Sequence, residues 1–268
     1  MTARPRRVLV VGARGRMGEC VRAALARDPE LRLAAALEVP GHPDLGQKLE
    51  HGVELVGDPV AALRACDVAI DFSAPAATLA TLALAAERGV AYVTGTTGFS
   101  EAALRELERC ARRIAIVHAP NFSVAVNVLT WLVREASRRL GPGYDAEILE
   151  LHHGAKRDAP SGTALRLAEA VAEGRGEARS DRLVLERAGA TGARPPGAIG
   201  VQALRGGDNP GEHTVMLLGR GERLELSHRA QTRDHFAEGA VRAARWLAGR
   251  APGLHRFEDV LGLSAPST

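Results

Sequence analysis

Short apolar runs alternate with stretches of helical spacing through the first half of the chain. Val8 to Val11 is an apolar, β-branched run closed by glycine, Met17 to Arg27 carries helical spacing, and Leu31 to Leu37 is strand-like again. Val68 to Phe72 has a further strand pattern, and Thr78 to Arg88 reads as a helix stopped by Gly89. Val90 to Thr94 and Ile114 to His118 continue the series around a helix from Glu101 to Arg112. Strand, helix and strand at these lengths predict βαβ units, and hence an α/β class with a Rossmann-type, doubly wound parallel sheet.

The pattern changes after Asn121. Ser123 can cap a long helix in which Val124, Val128, Trp131 and Leu132 share a face; Arg138 and Arg139 occupy its last turn, and Gly141 and Pro142 stop it. Tyr144 to Leu151, Arg182 to Arg187, Ala198 to Leu204, His213 to Leu218 and Arg223 to His228 read as strands, with one further clear helix from Thr163 to Glu173. Many strands with few helices predict a second, α+β domain on a mixed open sheet. Ala188 to Gly197, with three Gly and two Pro, reads as a mobile loop. Phe236, Ala240, Ala244 and Leu247 mark a final amphipathic helix. One βαβ half makes only a short sheet, so this last segment is expected to return to the first domain. The expected boundaries are 1–123 completed by 233–268, which would bind a dinucleotide, and 124–232, which would bind substrate and form the oligomer.

Composition narrows the function. The net charge is only +3, aromatics are 3% of 268 residues, and the arginines are scattered among 32 acids, which argues against a nucleic-acid partner. Cys20, Cys66 and Cys110 are odd in number, far apart and without Cys-x-x-Cys spacing, as suits reduced, buried thiols in a cytoplasmic protein. Arg4, Arg6 and Arg7 ahead of Val8 to Ala13 mimic a signal peptide faintly, but Arg14 breaks the apolar run. No stretch approaches the roughly 18 apolar residues of a membrane span. Of 35 basic residues only Lys48 and Lys156 are lysine.

Gly12-Ala13-Arg14-Gly15-Arg16-Met17-Gly18 follows a strand and opens a helix, the context that makes a glycine pattern a dinucleotide-binding one. Gly12 suits the tight turn, Gly15 the approach of a pyrophosphate to backbone N–H groups, and Gly18 close packing of helix on strand. Glu38 ends the second strand, where a carboxylate can accept from the adenine ribose hydroxyls. That carboxylate favours NADH, and Val39 beside it offers no charge to a 2′-phosphate, whereas Arg14 and Arg16 leave NADPH open. A glycine loop with structural duty alone is the alternative.

The densest polar cluster runs from Glu150 through His152, His153, Lys156 and Asp158 to Ser161-Gly162-Thr163, between a strand and a helix. The helix start offers N–H groups and a hydroxyl to an anion. His152 can exchange a proton near neutral pH. Lys156 can hold an anion and give up a proton, which arginine cannot, and a chain built almost wholly on arginine would keep lysine where titration is needed. Paired histidines could mark a metal, but no Cys or third His lies at ligand spacing, so no metal is expected. Lys48 reads as a surface residue; His118, His213 and His228 read as satisfied structural histidines, and His42, His51, His235 and His255 carry no signal.

These residues resemble the 4-hydroxy-tetrahydrodipicolinate reductase (dihydrodipicolinate reductase) family of bacterial lysine and diaminopimelate synthesis. The likeness includes residues 12–18, Asp71-Phe72-Ser73, Gly95 to Phe99, Ala119 to Ser123, residues 150–164, Gly206 to Asp208 and Gly211 to Thr214. It implies hydride transfer from NADH or NADPH to a cyclic, unsaturated dicarboxylate, giving tetrahydrodipicolinate with loss of water. By the same resemblance His152 is a proton donor and acceptor, Lys156 a proton donor, His153 a substrate contact, and Gly162 and Thr163 hold a substrate carboxylate. Gly95, Thr96 and Thr97, with Ala119, Pro120, Asn121 and Phe122, position the nicotinamide half. A homotetramer through the second domain's sheet is implied as well. Arg14 and Val39 depart from the family pattern, in the nucleotide site. Two other readings stay open here, another Rossmann dehydrogenase of amino-acid metabolism and a non-catalytic dinucleotide sensor.

Overall fold

A computed structural model describes residues 4–177 and 182–263. Residues 1–3 and 264–268 of the expected nucleotide domain, and 178–181 of the second, lie outside the described residues. The chain divides into two compact units, 1–124 with 233–268, and 125–232. In chain order the first unit contributes β1 (Arg6–Val11), α1 (Arg16–Leu25), β2 (Leu31–Leu37), β3 (Leu55–Val56), α2 (Pro59–Leu63), β4 (Val68–Asp71), α3 (Pro75–Arg88), β5 (Ala91–Thr94), α4 (Glu101–Ala111) and β6 (Ala115–His118). Next come α5 (Val124–Leu140), β7 (Asp145–His152), α6 (Gly162–Arg175), β8 (Leu183–Val184), β9 (Ile199–Arg205), β10 (Glu212–Leu218) and β11 (Arg223–Arg229). The chain then adds α7 (Asp234–Trp246), β12 (Gly253–His255) and α8 (Phe257–Leu261).

The first unit is a seven-stranded parallel sheet in the order β12-β6-β5-β4-β1-β2-β3. Both faces are covered, which is why its strands read as unbroken apolar runs rather than alternating ones. Val8 and Val10 point into a core with Val21 and Leu25 of α1 and Ala240 and Ala244 of α7. Leu9 and Val11 point the other way, into a core with Leu63, Leu82 and Leu107 of α2, α3 and α4. Ends are set locally: the Ser100 side chain accepts from Ala103 N–H at the start of α4, and Gly89, with φ +71°, ends α3 in a left-handed turn. The helix from Asp234 is not the last element, because β12 pairs parallel with β6 and α8 follows it.

The second unit is a five-stranded mixed sheet, β11-β10-β7-β9-β8, with β7, β9 and β8 mutually parallel and β10 antiparallel to both its neighbours. One face carries the core: Ala146, Ile148, Ile199, Val201, Val215 and Leu217 lie against Leu129 and Val133 of α5 and Leu167 and Val171 of α6. Burial alternates along β7 and β10 with period two, as a one-sided sheet requires. Two expectations are corrected. The inward stripe of α5 is Val126, Leu129, Thr130, Val133 and Ser137, whereas Leu132 is exposed; the helix is apolar on more than one side, and the Thr130 hydroxyl settles inward by donating to the Val126 carbonyl at 2.8 Å. The strand over Arg182 to Arg187 shortens to Leu183–Val184, since Leu185 is exposed and Arg187 reaches across to pair with Glu147 at 2.7 and 2.9 Å.

Candidate active site

In the first unit the predicted nucleotide residues gather at the carboxyl ends of the parallel strands, where open α/β sheets bind their ligands. The chain leaves β1 at Gly12, whose φ of +69° suits glycine, and the N–H groups of Gly12 and Ala13 both donate to the Leu37 carbonyl at the end of β2. Gly15 caps α1 with extended backbone and no side chain over the first turn. At Gly18 a Cβ would overlap the Gly12 carbonyl oxygen and stand 2.8 Å from Ala13 Cα, so only glycine lets helix and turn approach. Glu38 accepts from Arg14 N–H at 2.9 Å on one oxygen and from Val39 N–H at 3.1 Å on the other. The Arg14 guanidinium is engaged by Asp44 at 2.6–2.7 Å and by Gln47, and it holds the Asp44 carboxyl below its usual range. Arg16 is exposed, Met17 packs on the core, and Val39 is 58% exposed. A bare helix start, a turn a Cβ would fill and a carboxylate with acceptor capacity left over fit a dinucleotide.

The loops after β5 and β6 are less open. Gly95 lies under Phe72, whose ring a Cβ would overlap. The buried Thr96 hydroxyl pairs with that of Thr78 at 2.9 Å, while Thr97 is exposed. Ala119 is buried, and the Phe122 ring packs between Phe72 and Phe257, so its side chain belongs to the core. Pro120 is exposed and Asn121 partly exposed. Asn121 folds its own carbonyl oxygen back to Ser123 N–H at 2.8 Å.

In the second unit the buried face of the sheet turns from apolar to polar along β7: Ala146 and Ile148 are followed by Glu150 and His152. Register brings partners from other strands to the same place, His213 of β10 opposite Glu150 and Arg205 of β9 opposite His152. Glu150 is fully buried, accepts from both terminal nitrogens of Arg205 at 2.9 Å and from Ser161 N–H at 3.0 Å, and shares a hydrogen bond with His152 Nδ1. Burial alone would raise its carboxyl, but Arg205, His152 and the Ser161 N–H outweigh this and hold it below the usual range. Burial pushes His152 down, with Glu150 opposing and Lys156 and Arg205 adding to the fall. His213 is pushed down to about 4 by burial and by His152; its Nε2 meets the Ser161 hydroxyl at 3.1 Å, and its Nδ1 is buried without a partner.

Ser161 also caps α6, accepting from Ala164 N–H, so Gly162 and Thr163 form the first turn of that helix. The Lys156 ammonium lies between the two oxygens of Asp158, each at 2.8 Å. The His153 and Gly154 N–H groups donate to the Asn209 and Gly207 carbonyls, tying this loop to the one after β9.

Residues 6–122 match the model for the dihydrodipicolinate reductase N-terminus, and 125–261 that for its C-terminus. The chain is 47% identical over 264 residues to a 4-hydroxy-tetrahydrodipicolinate reductase of Anaeromyxobacter dehalogenans (strain 2CP-1 / ATCC BAA-258), covering 96% of this chain and 98% of the relative. The chain belongs to the dihydrodipicolinate reductase family. Its reductase relatives include one from Anaeromyxobacter sp. (strain Fw109-5), 50% identical with 96% and 97% covered, and one from Myxococcus xanthus (strain DK1622), 48% identical with 97% and 99% covered. The fold is that of the dipicolinate-bound dihydrodipicolinate reductase from Paenisporosarcina sp. TG-14, with a TM-score of 0.78 at 24% identity, covering 94% of this chain and 98% of that one.

The structure brings Gly12 to Met17 together with Glu38 and, separately, links His152 through Glu150 to Ser161 at the head of the Gly162-Thr163 turn, with His153 and Lys156 in the loop between them. Sequence reasoning passed over Arg205, left Glu150 without a role and set His213 aside as a satisfied histidine, which its unpartnered Nδ1 corrects. It named Asp71 in a motif without giving it a role; the side chain is buried and accepts from Ser73 N–H and from the Tyr92 hydroxyl, both at 2.7 Å. The signal for Asp71 was present, in the Asp-Phe-Ser motif at a strand end. Among the described residues, no group of three His, Cys, Asp or Glu could hold a metal ion, and no helix is long and apolar enough to cross a membrane.

Proposed function

We propose that the chain reduces 4-hydroxy-tetrahydrodipicolinate to tetrahydrodipicolinate with NAD(P)H, in lysine and diaminopimelate synthesis. The observation that carries this reading is about half identity, over nearly the full length of both chains, to curated reductases of that name. One hydride and one proton enter, and the substrate hydroxyl leaves as water. Bound to residues 12–17, Glu38, 95–97 and 119–122, a reduced nicotinamide supplies the hydride. The rest falls to the 124–232 domain, whose side chains hold a dianion and move the proton. The first-turn N–H groups of Gly162 and Thr163, at the positive end of a 14-residue helix, attract one carboxylate. His153 adds a further substrate contact. Lys156 carries a charge that Asp158 satisfies before substrate arrives, and an ammonium on a flexible stem passes readily from one carboxylate to another. His152 exchanges the proton, with Lys156 as donor.

NADH is the favoured nucleotide. Glu38 suits free ribose hydroxyls, Val39 brings no charge, and Arg14 is engaged by Asp44, so Arg16 is the exposed cation left for a 2′-phosphate. A homotetramer is supported by the outer face of the second sheet, where Leu149, Leu151, Met216 and Leu218 are partly exposed and Leu204 is exposed. The three unpaired cysteines support a reducing, cytoplasmic setting. Loss of reduced-nicotinamide absorbance on adding freshly made 4-hydroxy-tetrahydrodipicolinate tests the reaction. Turnover is expected with both nucleotides and a lower KM for NADH; no turnover with either would refute it.

A further inference from the structure

The buried carboxylate of Glu150 is held as an anion by three fixed donors. One oxygen accepts from Ser161 N–H and Arg205 Nη2, the other accepts from Arg205 Nη1 and meets His152 Nδ1, so of the roughly four acceptor positions a carboxylate has, the one left over faces the imidazole. An imidazole presenting a lone pair from Nδ1 would meet negative charge there and no proton. The opposite nitrogen has different surroundings. Gly211, with φ +147°, passes beside His152 Nε2, and a Cβ on it would stand 2.8 Å from that atom. The main chain at Gly211 is fixed by the Asn209 side chain, which accepts its N–H at 2.8 Å, and by Ala230 N–H donating to its carbonyl.

We propose that Glu150 and Arg205 are positioning residues that make Nε2 the proton-exchanging atom of His152: Glu150 holds the proton on Nδ1, Arg205 holds Glu150, and Gly211 keeps Nε2 clear. This rests on the reductase reading for its chemistry but not for its geometry. The ionisable groups facing His152 are Glu150 on its own strand, Arg205 on β9, His213 on β10 with its ring centre 5.2 Å away, and Lys156 in the loop after β7. Glu150 supports the imidazolium and the two cations oppose it, so removing an acid and removing a base must move His152 in opposite directions. A purely structural role predicts no such opposition.

Glu150→Gln turns one donor-facing oxygen into an NH2, which favours the other tautomer, with the proton on Nε2. We expect kcat to fall on the order of 10²-fold, within the range that general acid–base catalysis contributes, with little change in nucleotide KM. The kcat/KM profile should move the His152 limb about one pH unit down in Glu150→Gln and about one unit up in Arg205→Met. Glu150→Asp should recover part of the rate. Nitrogen-15 NMR of the wild-type histidines gives an answer that needs neither turnover nor a stable variant: neutral His152 is expected to carry its proton on Nδ1. A proton on Nε2 in the wild type, or shifts of the same sign in the two variants, would overturn the proposal whether or not the reductase reading holds.

Discussion

Glu38 and Glu150 both lie near the end of a strand that leads into a ligand-facing loop, and they are held in opposite ways. Glu38 takes one main-chain N–H on each oxygen, from Arg14 and Val39, and among the described residues it has no ion-pair partner. Glu150 is enclosed, and Arg205, His152 and Ser161 N–H use its whole accepting capacity. The first carboxylate keeps lone pairs for a ligand, and the second spends its own on the protein. Position in a strand does not distinguish them; the count of donors already present does.

The sharpest test of that contrast is truncation. Glu150→Ala takes the carboxylate from a partly buried Arg205, which keeps only the Leu204 and Asp158 carbonyls as acceptors, and strips Ser161 N–H and His152 of theirs, so the variant should lose about 2–3 kcal/mol of stability in urea unfolding. Glu38→Ala should lose less than about 1 kcal/mol, because two main-chain N–H groups turn to water, while nucleotide binding weakens about tenfold. Equal destabilisation by the two would break the comparison.

Acid should act on the enclosed cluster too. His213 titrates at about 4 in the fold against an ordinary 6.5, so the unfolded chain binds its proton first. Stability therefore rises with pH across this window, and on acidification from about 6.5 to about 4 the fold loses up to roughly 3 kcal/mol on this account. Glu150, held low, adds a further loss as pH falls through its folded value. His213→Gln should flatten the upper part of the curve, and an unchanged slope in that variant would assign it to other groups.

Lys156→Arg keeps the charge and removes the exchangeable proton. Turnover should drop on the order of 10²-fold while substrate KM changes less than about tenfold, and a kcat like the wild type would exclude proton donation. The smallest effect belongs to the open side. Asp44→Ala releases Arg14 from a partly exposed ion pair, and NADPH KM should fall a few-fold with NADH KM unmoved, in keeping with the modest strength of such pairs. Val39→Arg should move the preference the same way.

Much of this was legible in the chain, for identifiable reasons. Leu31–Leu37 reads as a strand to the residue, because Leu31 and Leu33 alternate with exposed Arg32 at its start and Ala35, Ala36 and Leu37 are buried on both faces at its end. β3 and β12, of two and three residues, are too short to show any period. The face of α5 was misjudged because Val128, Trp131 and Leu132 compete with the true stripe. His152, His153, Lys156 and the Ser161-Gly162-Thr163 turn stand within one run and announce themselves. Arg205 lies 55 residues beyond Glu150 and reaches it through the parallel pairing of β7 with β9, a contact no local pattern encodes.

The return of the last segment to the first unit has a consequence for how the protein is made. α7 presses Gly239 against the main chain at Phe122, where any side chain would collide with the carbonyl, and β12 adds the outer strand beside β6. A ribosome therefore delivers the whole 125–232 unit before it releases the residues that finish the unit begun first. The earlier-started half must wait, incompletely covered, with Phe122 and the Ala240–Ala244 side of its core unsealed, until the residues from Arg233 onward emerge. A stalled or clipped chain would thus carry an intact middle and an unfinished beginning.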